Sequence, residues 1–162
     1  MIILLTNDDG YNAEGIRRTQ KLLSKYARVI IVAPKAAMSA KSCSITINIP
    51  LHLVKVEEDV YYVDGTPADC VALAMSEIHE KIDLVVSGCN NGLNVSYDTI
   101  YSGTIGACLE ALTYGFKTIA LYSPHDNFDT LEKGFEMMWK FINENDLISN
   151  EYILNINKTP HN

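Results

Sequence analysis

The sequence lacks the marks of several large protein classes. It has no run of lysine and arginine: 13 basic residues stand against 20 acidic ones, for a net charge of −7. That excludes an extended nucleic-acid surface, although backbone amides or a metal can still hold a small anion locally. No apolar run approaches the roughly 20 residues of a membrane span. Five apolar residues precede Thr6 and Asn7 without a basic segment, so no signal peptide is read. No G-x-G-x-x-G follows the first apolar run, which argues against a dinucleotide cofactor. No G-x-S-x-G elbow is present, which disfavours a serine hydrolase. The cysteines Cys43, Cys70, Cys89 and Cys108 lie in apolar or helical contexts without metal or redox spacing. They read as free thiols of a cytoplasmic protein. His52, His79, His125 and His161 share no ligand spacing.

What is present is a chain of 162 residues, 48% hydrophobic, enough for one domain over residues 1–162 with a substantial core. Short apolar runs alternate with amphipathic stretches. Residues 2–6 and IDLVVSG read as buried strands, RVIIVAP, KTIALYS and EYILNIN as strands, and LHLVKV and VYYV as further extended pieces. CSITINI alternates Cys43, Ile45, Ile47 and Ile49 with polar residues, the pattern of a half-buried strand. Helices are expected over residues 14–26, from Thr66 as N-cap with Pro67 at the first position, from SGTIG to Gly115, and over 129–144. In the third of these, Ile105, Cys108, Leu109 and Leu112 are expected to face inward. The alternation predicts an α/β fold, a three-layer αβα sandwich around a mostly parallel, Rossmann-like sheet.

Ligands of such sheets bind beyond the carboxyl ends of the strands. Asn7, Asp8 and Asp9 follow the first strand, residues 34–42 follow the second, and the polar stretch from Ser87 to Asn94 follows IDLVV. The three clusters should share one rim. Adjacent Asp8 and Asp9 admit three readings: a turn, solvated charge, or a cation site. Ser39, Asn90 and Asn94 add neutral oxygens to the rim, and this all-oxygen set suits Mg or Mn rather than Zn. At Ser102, Gly103 and Thr104 a helix begins, where free amides and the helix dipole favour phosphate; the plainer reading is an ordinary cap. Gly65 and Thr66 read as a turn and cap. Asp98 either orients a polar group or stabilises its loop, and His125 is a weaker candidate acid or base.

NDDG after the first strand, AP with Ser39 five residues beyond Pro34, DGTPADCV, SGCNNGLN and IYSGTIGACLEA together resemble the SurE survival-protein family in order and spacing. The resemblance covers residues 1 to 123 well, and LNINKTP is similar to a later strand of that family. It implies a divalent-metal-dependent phosphatase of nucleoside monophosphates, a 5'-nucleotidase, often with wider phosphoester or polyphosphate activity. It places one Mg or Mn ion on Asp8, Asp9, Ser39 and Asn90, gives Asp8 and Asp9 the catalytic role, and sets phosphate contacts at Asn94, Ser102, Gly103 and Thr104. It also implies a homodimer or homotetramer without nucleic-acid or membrane partners. Three departures bear on loop shape and substrate preference. Ala40 and Ser96 stand where the family often has glycine, and Ala36, Ala37 and Met38 precede the serine in place of a basic or polar residue. Family members usually continue past LNIN with a hairpin and an arm; this sequence ends at Asn162, which would leave EYILNIN as an unprotected edge. The alternative to an enzyme is a non-catalytic phosphate-ligand or partner-binding module.

Overall fold

The computed structural model describes residues 1–159; His161 lies outside them. Seven strands form one sheet in the order β3-β4-β2-β1-β5-β6-β7. They are β1 (Ile2–Thr6), β2 (Arg28–Pro34), β3 (Leu53–Glu57), β4 (Val60–Val63), β5 (Leu84–Asn91), β6 (Thr118–Ser123) and β7 (Ile153–Asn157). All pairings are parallel except β3 with β4. Four helices cover it: α1 (Glu14–Leu23), α2 (Pro67–Glu77), α3 (Gly103–Thr113) and α4 (Asp129–Glu144). Strand alternation sorts the core into two layers. Ile3 and Leu5 of β1 pack with Ile16, Phe135 and Trp139 of α1 and α4. Leu4, on the opposite face, packs with Val71, Ala74, Ala107 and Ala111 of α2 and α3. The expected three-layer αβα sandwich is the result. The chain runs from β1 to β2 on one side and reaches β5 on the other. The crevice beyond the carboxyl ends of β1 and β5 is therefore the topological switch point.

Several expectations need correction. Residues 43–49 pair with no strand, and Ile45, Ile47 and Ile49 are 55%, 78% and 69% exposed. The polar groups of the segment are engaged elsewhere: the Thr46 amide and hydroxyl donate to the Asp69 carboxylate and the Thr66 hydroxyl donates to the Ser44 carbonyl, so it lies against the start of α2 instead of joining the sheet. Cys43 is correspondingly exposed, while the other three cysteines are buried, and all four are free. α1 stops at Leu23 rather than Tyr26; the Tyr26 ring packs against Phe135 and Trp139. β5 runs on to Asn91, through an irregularity between Ser87 and Asn90, where a polar loop is expected. On α3, Leu109 is 41% exposed, and the buried face carries Thr104, Ala107, Cys108 and Ala111. Residues this small let the helix lie close to its neighbours, so the larger leucine is displaced to the margin. Among the described residues, no helix is long and apolar enough to cross a membrane.

Candidate functional site

The turn after β1 is closed by the buried Asn7 side chain, whose Nδ2 donates to the Gly10 carbonyl (3.0 Å) and whose Oδ1 accepts from the Gly10 amide (3.1 Å). Two backbone bonds then tie this turn to the loop after β2. The Met38 amide donates to the Asp8 carbonyl (2.7 Å) and the Tyr11 amide to the Pro34 carbonyl (2.9 Å). Asn7 thus organises the turn, leaving the next two side chains for the crevice.

Asp8 is 5% exposed and its Oδ1 accepts from the Thr104 hydroxyl at 2.8 Å. Its carboxylate lies against the first turn of α3. A Cβ on Gly103 would stand 2.9 Å from the Asp8 Cβ and 3.2 Å from Oδ2, so this close approach requires glycine. Asp9 is half-buried and accepts from the Asn91 amide at 3.3 Å. Burial pushes the Asp8 carboxyl up to about 6; the Thr104 bond opposes that rise and the Asp9 charge adds to it. Burial also raises Asp9, against the Asn91 amide and the charge of His125. Desolvation, more than mutual repulsion, is what makes two ionised carboxylates costly here, and a cation between them would offset both.

Asp8, Asp9, Ser39, Asn90, Asn94 and Ser102 meet in the wall of one cleft of about 290 Å³, joined by Asp98 and Tyr101. Gly103 and Thr104 lie behind that wall, Thr104 fully buried. Ser102 caps α3: its Oγ accepts from the Ile105 amide (3.2 Å) and shares a hydrogen bond with the Tyr122 hydroxyl (3.2 Å). Both hydroxyls of the S-G-T stretch are therefore engaged within the protein, and what the helix start offers a ligand is its amides. Those of Gly103 and Thr104, in the first turn, have no acceptor within the helix. Thr66 caps α2 in a reciprocal box with Asp69, as the sequence suggests. His125 is exposed and is not in the cleft wall; its Nε2 lies over Gly92. A larger adjoining cavity of about 440 Å³ shares Asp9 and Asn91 but opens between the starts of α1 and α4, beside Arg18. The Arg18 guanidinium is engaged by Glu14, Asp129 and Glu132, and no residue of the 34–42 loop or of the α3 start lines that cavity.

The donor set of the smaller cleft fits a hard divalent cation: two carboxylates, the Ser39 hydroxyl and the Asn90 carboxamide oxygen. Asn90 is oriented for this, because its Nδ2 donates to the Gly92 carbonyl at 2.8 Å. Among the described residues no group of three or more His, Cys, Asp or Glu could hold a metal, so an ion here depends on the neutral oxygens as well.

Sequence reasoning passed over two features of the cleft. Tyr101, 65% exposed, stands in its wall immediately before the cap. Asn155 and Asn157 of β7 bond to the backbone of Asn94. The available signal for the second was two asparagines at i and i+2, sharing one face of an otherwise apolar strand.

A family model described as survival protein SurE matches residues 3–162. The chain is 41% identical over 167 residues to a protein of Clostridium botulinum (strain ATCC 19397 / Type A) named 5'-nucleotidase SurE, covering 97% of this chain and 66% of that one. It is 48% identical over 122 residues to a 5'-nucleotidase SurE of Actinobacillus succinogenes, covering 75% and 50% respectively. Among solved structures, the SurE protein from Aquifex aeolicus superposes with a TM-score of 0.86 at 36% identity, covering 98% of this chain and 67% of that one. The chain thus spans about two thirds of the length of such relatives.

Proposed function

This chain belongs to the survival protein SurE family, and from that premise we propose that it is a divalent-cation-dependent phosphatase acting on nucleoside 5'-monophosphates, with other phosphomonoesters or polyphosphate as further substrates. The observation that carries the reading is the placement of the Asp8 carboxylate, buried against the amide end of α3 and facing Ser39 and Asn90 across one cleft. The names of the relatives support the reaction class.

In this reading Asp8, Asp9, Ser39 and Asn90 hold one Mg or Mn ion, which when bound polarises the phosphoryl group and orients the attacking water. The amides of Gly103 and Thr104 receive phosphoryl oxygens as negative charge grows, helped by the α3 dipole. Asn94 supplies a further contact from the opposite wall. The Thr104 hydroxyl fixes the Asp8 rotamer from behind rather than touching substrate. The Ser102 cap keeps the first turn of α3 in shape. We also propose assembly as a homodimer or homotetramer, supported by the unpaired, exposed Ile45, Ile47 and Ile49.

The test is phosphate release from a panel of mononucleotides with Mn, with Mg, and with chelator. Turnover is expected with either ion and none with chelator. Full turnover in metal-free buffer would sink the cation-dependent mechanism. Phosphate binding without turnover would favour a non-catalytic module.

A further inference from the structure

We infer that Asn157, braced by Asn155, is a positioning residue for the cleft, fixing the main chain of Asn94 so that its side chain faces the bound phosphoryl group. The inference rests on the reading of that cleft as a phosphate site. Four hydrogen bonds carry it. Asn157 Oδ1 accepts from the Asn94 amide at 2.8 Å, and Asn157 Nδ2 donates to the Asn94 carbonyl at 3.1 Å. One carboxamide thus takes both polar groups of one residue, as a neighbouring strand would. Asn155 Nδ2 donates to the same carbonyl at 3.3 Å, and its Oδ1 accepts the remaining Asn157 donor at 3.0 Å. The second bond fixes the orientation of the Asn157 amide, since a flipped group would set donor against donor at the Asn94 N–H and acceptor against acceptor at the Asn94 carbonyl and Asn155 Oδ1.

The segment has little else to hold it. Gly92 (φ 125°) and Ser96 (φ 54°) reverse the chain on either side. Leu93 and Val95 are 39% and 51% exposed, so neither anchors the loop in the core. Among the described residues, the Asn94 backbone bonds only to the two asparagines of β7. The strand itself is held in register: Asn157 pairs with Tyr122, the residue whose hydroxyl meets Ser102 at the α3 cap. One wall of the cleft and the cap of the other are therefore referenced to the same rung of the sheet. A plainer role for the pair would be to pin β7 to the sheet edge, with Asn94 as the passive partner.

A double-mutant cycle separates these. Inorganic phosphate is titrated in the presence of Mn into the protein, Asn157→Ala, Asn94→Ala and the double variant. Asn157→Ala is expected to weaken phosphate binding about tenfold. Asn94→Ala should weaken it similarly, and the double variant no further, because Asn157 acts only through Asn94. With a mononucleotide, KM should rise more than kcat falls, and the Asn94 amide should lose protection from hydrogen exchange. Should Asn157→Ala fail to fold, Asn155→Ala removes the exposed brace alone and should weaken binding about two- to threefold. Phosphate affinity unchanged in Asn157→Ala, or additive losses in the double variant, would overturn the inference. Turnover with an unaffected KM in Asn157→Ala leaves the phosphatase reading standing and removes the clamp. Phosphate binding with a non-additive cycle but no turnover does the reverse. An original protein that binds no phosphate removes both.

Discussion

Asp8 is the residue on which the site's electrostatics turn. Its folded-state carboxyl titrates near 6 against an ordinary 3.8, because burial disfavours the charged form. The folded protein therefore binds that proton more tightly than the unfolded chain. Stability from this group is complete below pH ~4, falls as pH rises to about 6, and is then lower by about 3 kcal/mol in the absence of a cation. Asp8→Asn should raise the metal-free melting temperature at pH 8 by roughly 5–10 °C and leave it unchanged at pH 4. It should also abolish most turnover, and Mn should stabilise it less than the original. If Asp8 were merely a turn former, the variant would melt lower at both pH values and Mn would shift neither protein; thermal melts with and without Mn decide it. Ala40 and Ser96 supply a second expectation at this scale. The family resemblance implies glycine at both positions, and both sit at left-handed φ, 56° and 54°. Ala40→Gly and Ser96→Gly should each stabilise by about 0.5–1 kcal/mol, relief of strain exceeding the added chain entropy. A loss of stability by denaturant titration would show that the loops hold these residues without strain.

Among the elements, the segment from Ser39 to Thr46 behaves as a strap across the starts of α2 and α3. The Ser42 amide and hydroxyl bond to the Tyr101 and Ile100 carbonyls, and Thr46 bonds through both amide and hydroxyl to the Asp69 carboxylate. Asp69 is 3% exposed and also accepts from the Thr66 amide, so one carboxylate closes the α2 cap and moors the strap. Asp69→Ala should cost about 3–4 kcal/mol by leaving several buried donors unpaired, and should speed hydrogen exchange over residues 43–47. Exchange there unchanged would mean the strap is held by something other than Asp69. Gly106 gives a sharper sign test. In an open helix Gly→Ala stabilises by about 1 kcal/mol. Here the added Cβ would collide with the Ser42 carbonyl, so Gly106→Ala should lower the melting temperature and reduce turnover by displacing Ser39. A variant that melts higher would show that the strap does not press on α3.

At the scale of the whole molecule, apolar side chains left outside the core bear on assembly. Ile47, 78% exposed, is the clearest. Sedimentation at tens of micromolar is expected to show a dimer or larger species, and Ile47→Lys to reduce it to protomers with little change in melting temperature. A wild-type chain that sediments as a monomer would count against the assembly proposed. The same scale shows what the sequence determined by itself. Local patterns sufficed wherever one segment carries its own reason: the apolar runs of β1, β2 and β6, the 3.6-residue stripe of α4, the Thr66 and Ser102 caps, and the polar clusters at strand ends. Chain order and polarity alone were enough to expect Asp8, Asp9, Ser39, Asn90 and Asn94 on one rim, because parallel strands place all their carboxyl ends together. Only the tertiary structure decided what depends on a partner distant in the chain. Residues 43–49 have a strand's alternation but are held by Asp69 and Thr66 at the start of α2 rather than by a sheet edge. Leu109 has the hydrophobicity of a core residue, but the close packing of α3 admits only small side chains there. The Thr104 hydroxyl supports Asp8, 96 positions away. Asn157 reaches Asn94 across 63 positions. Periodicity and caps report on neighbours within a few residues, whereas hydrogen bonds between remote loops exist only once the sheet has set their distance.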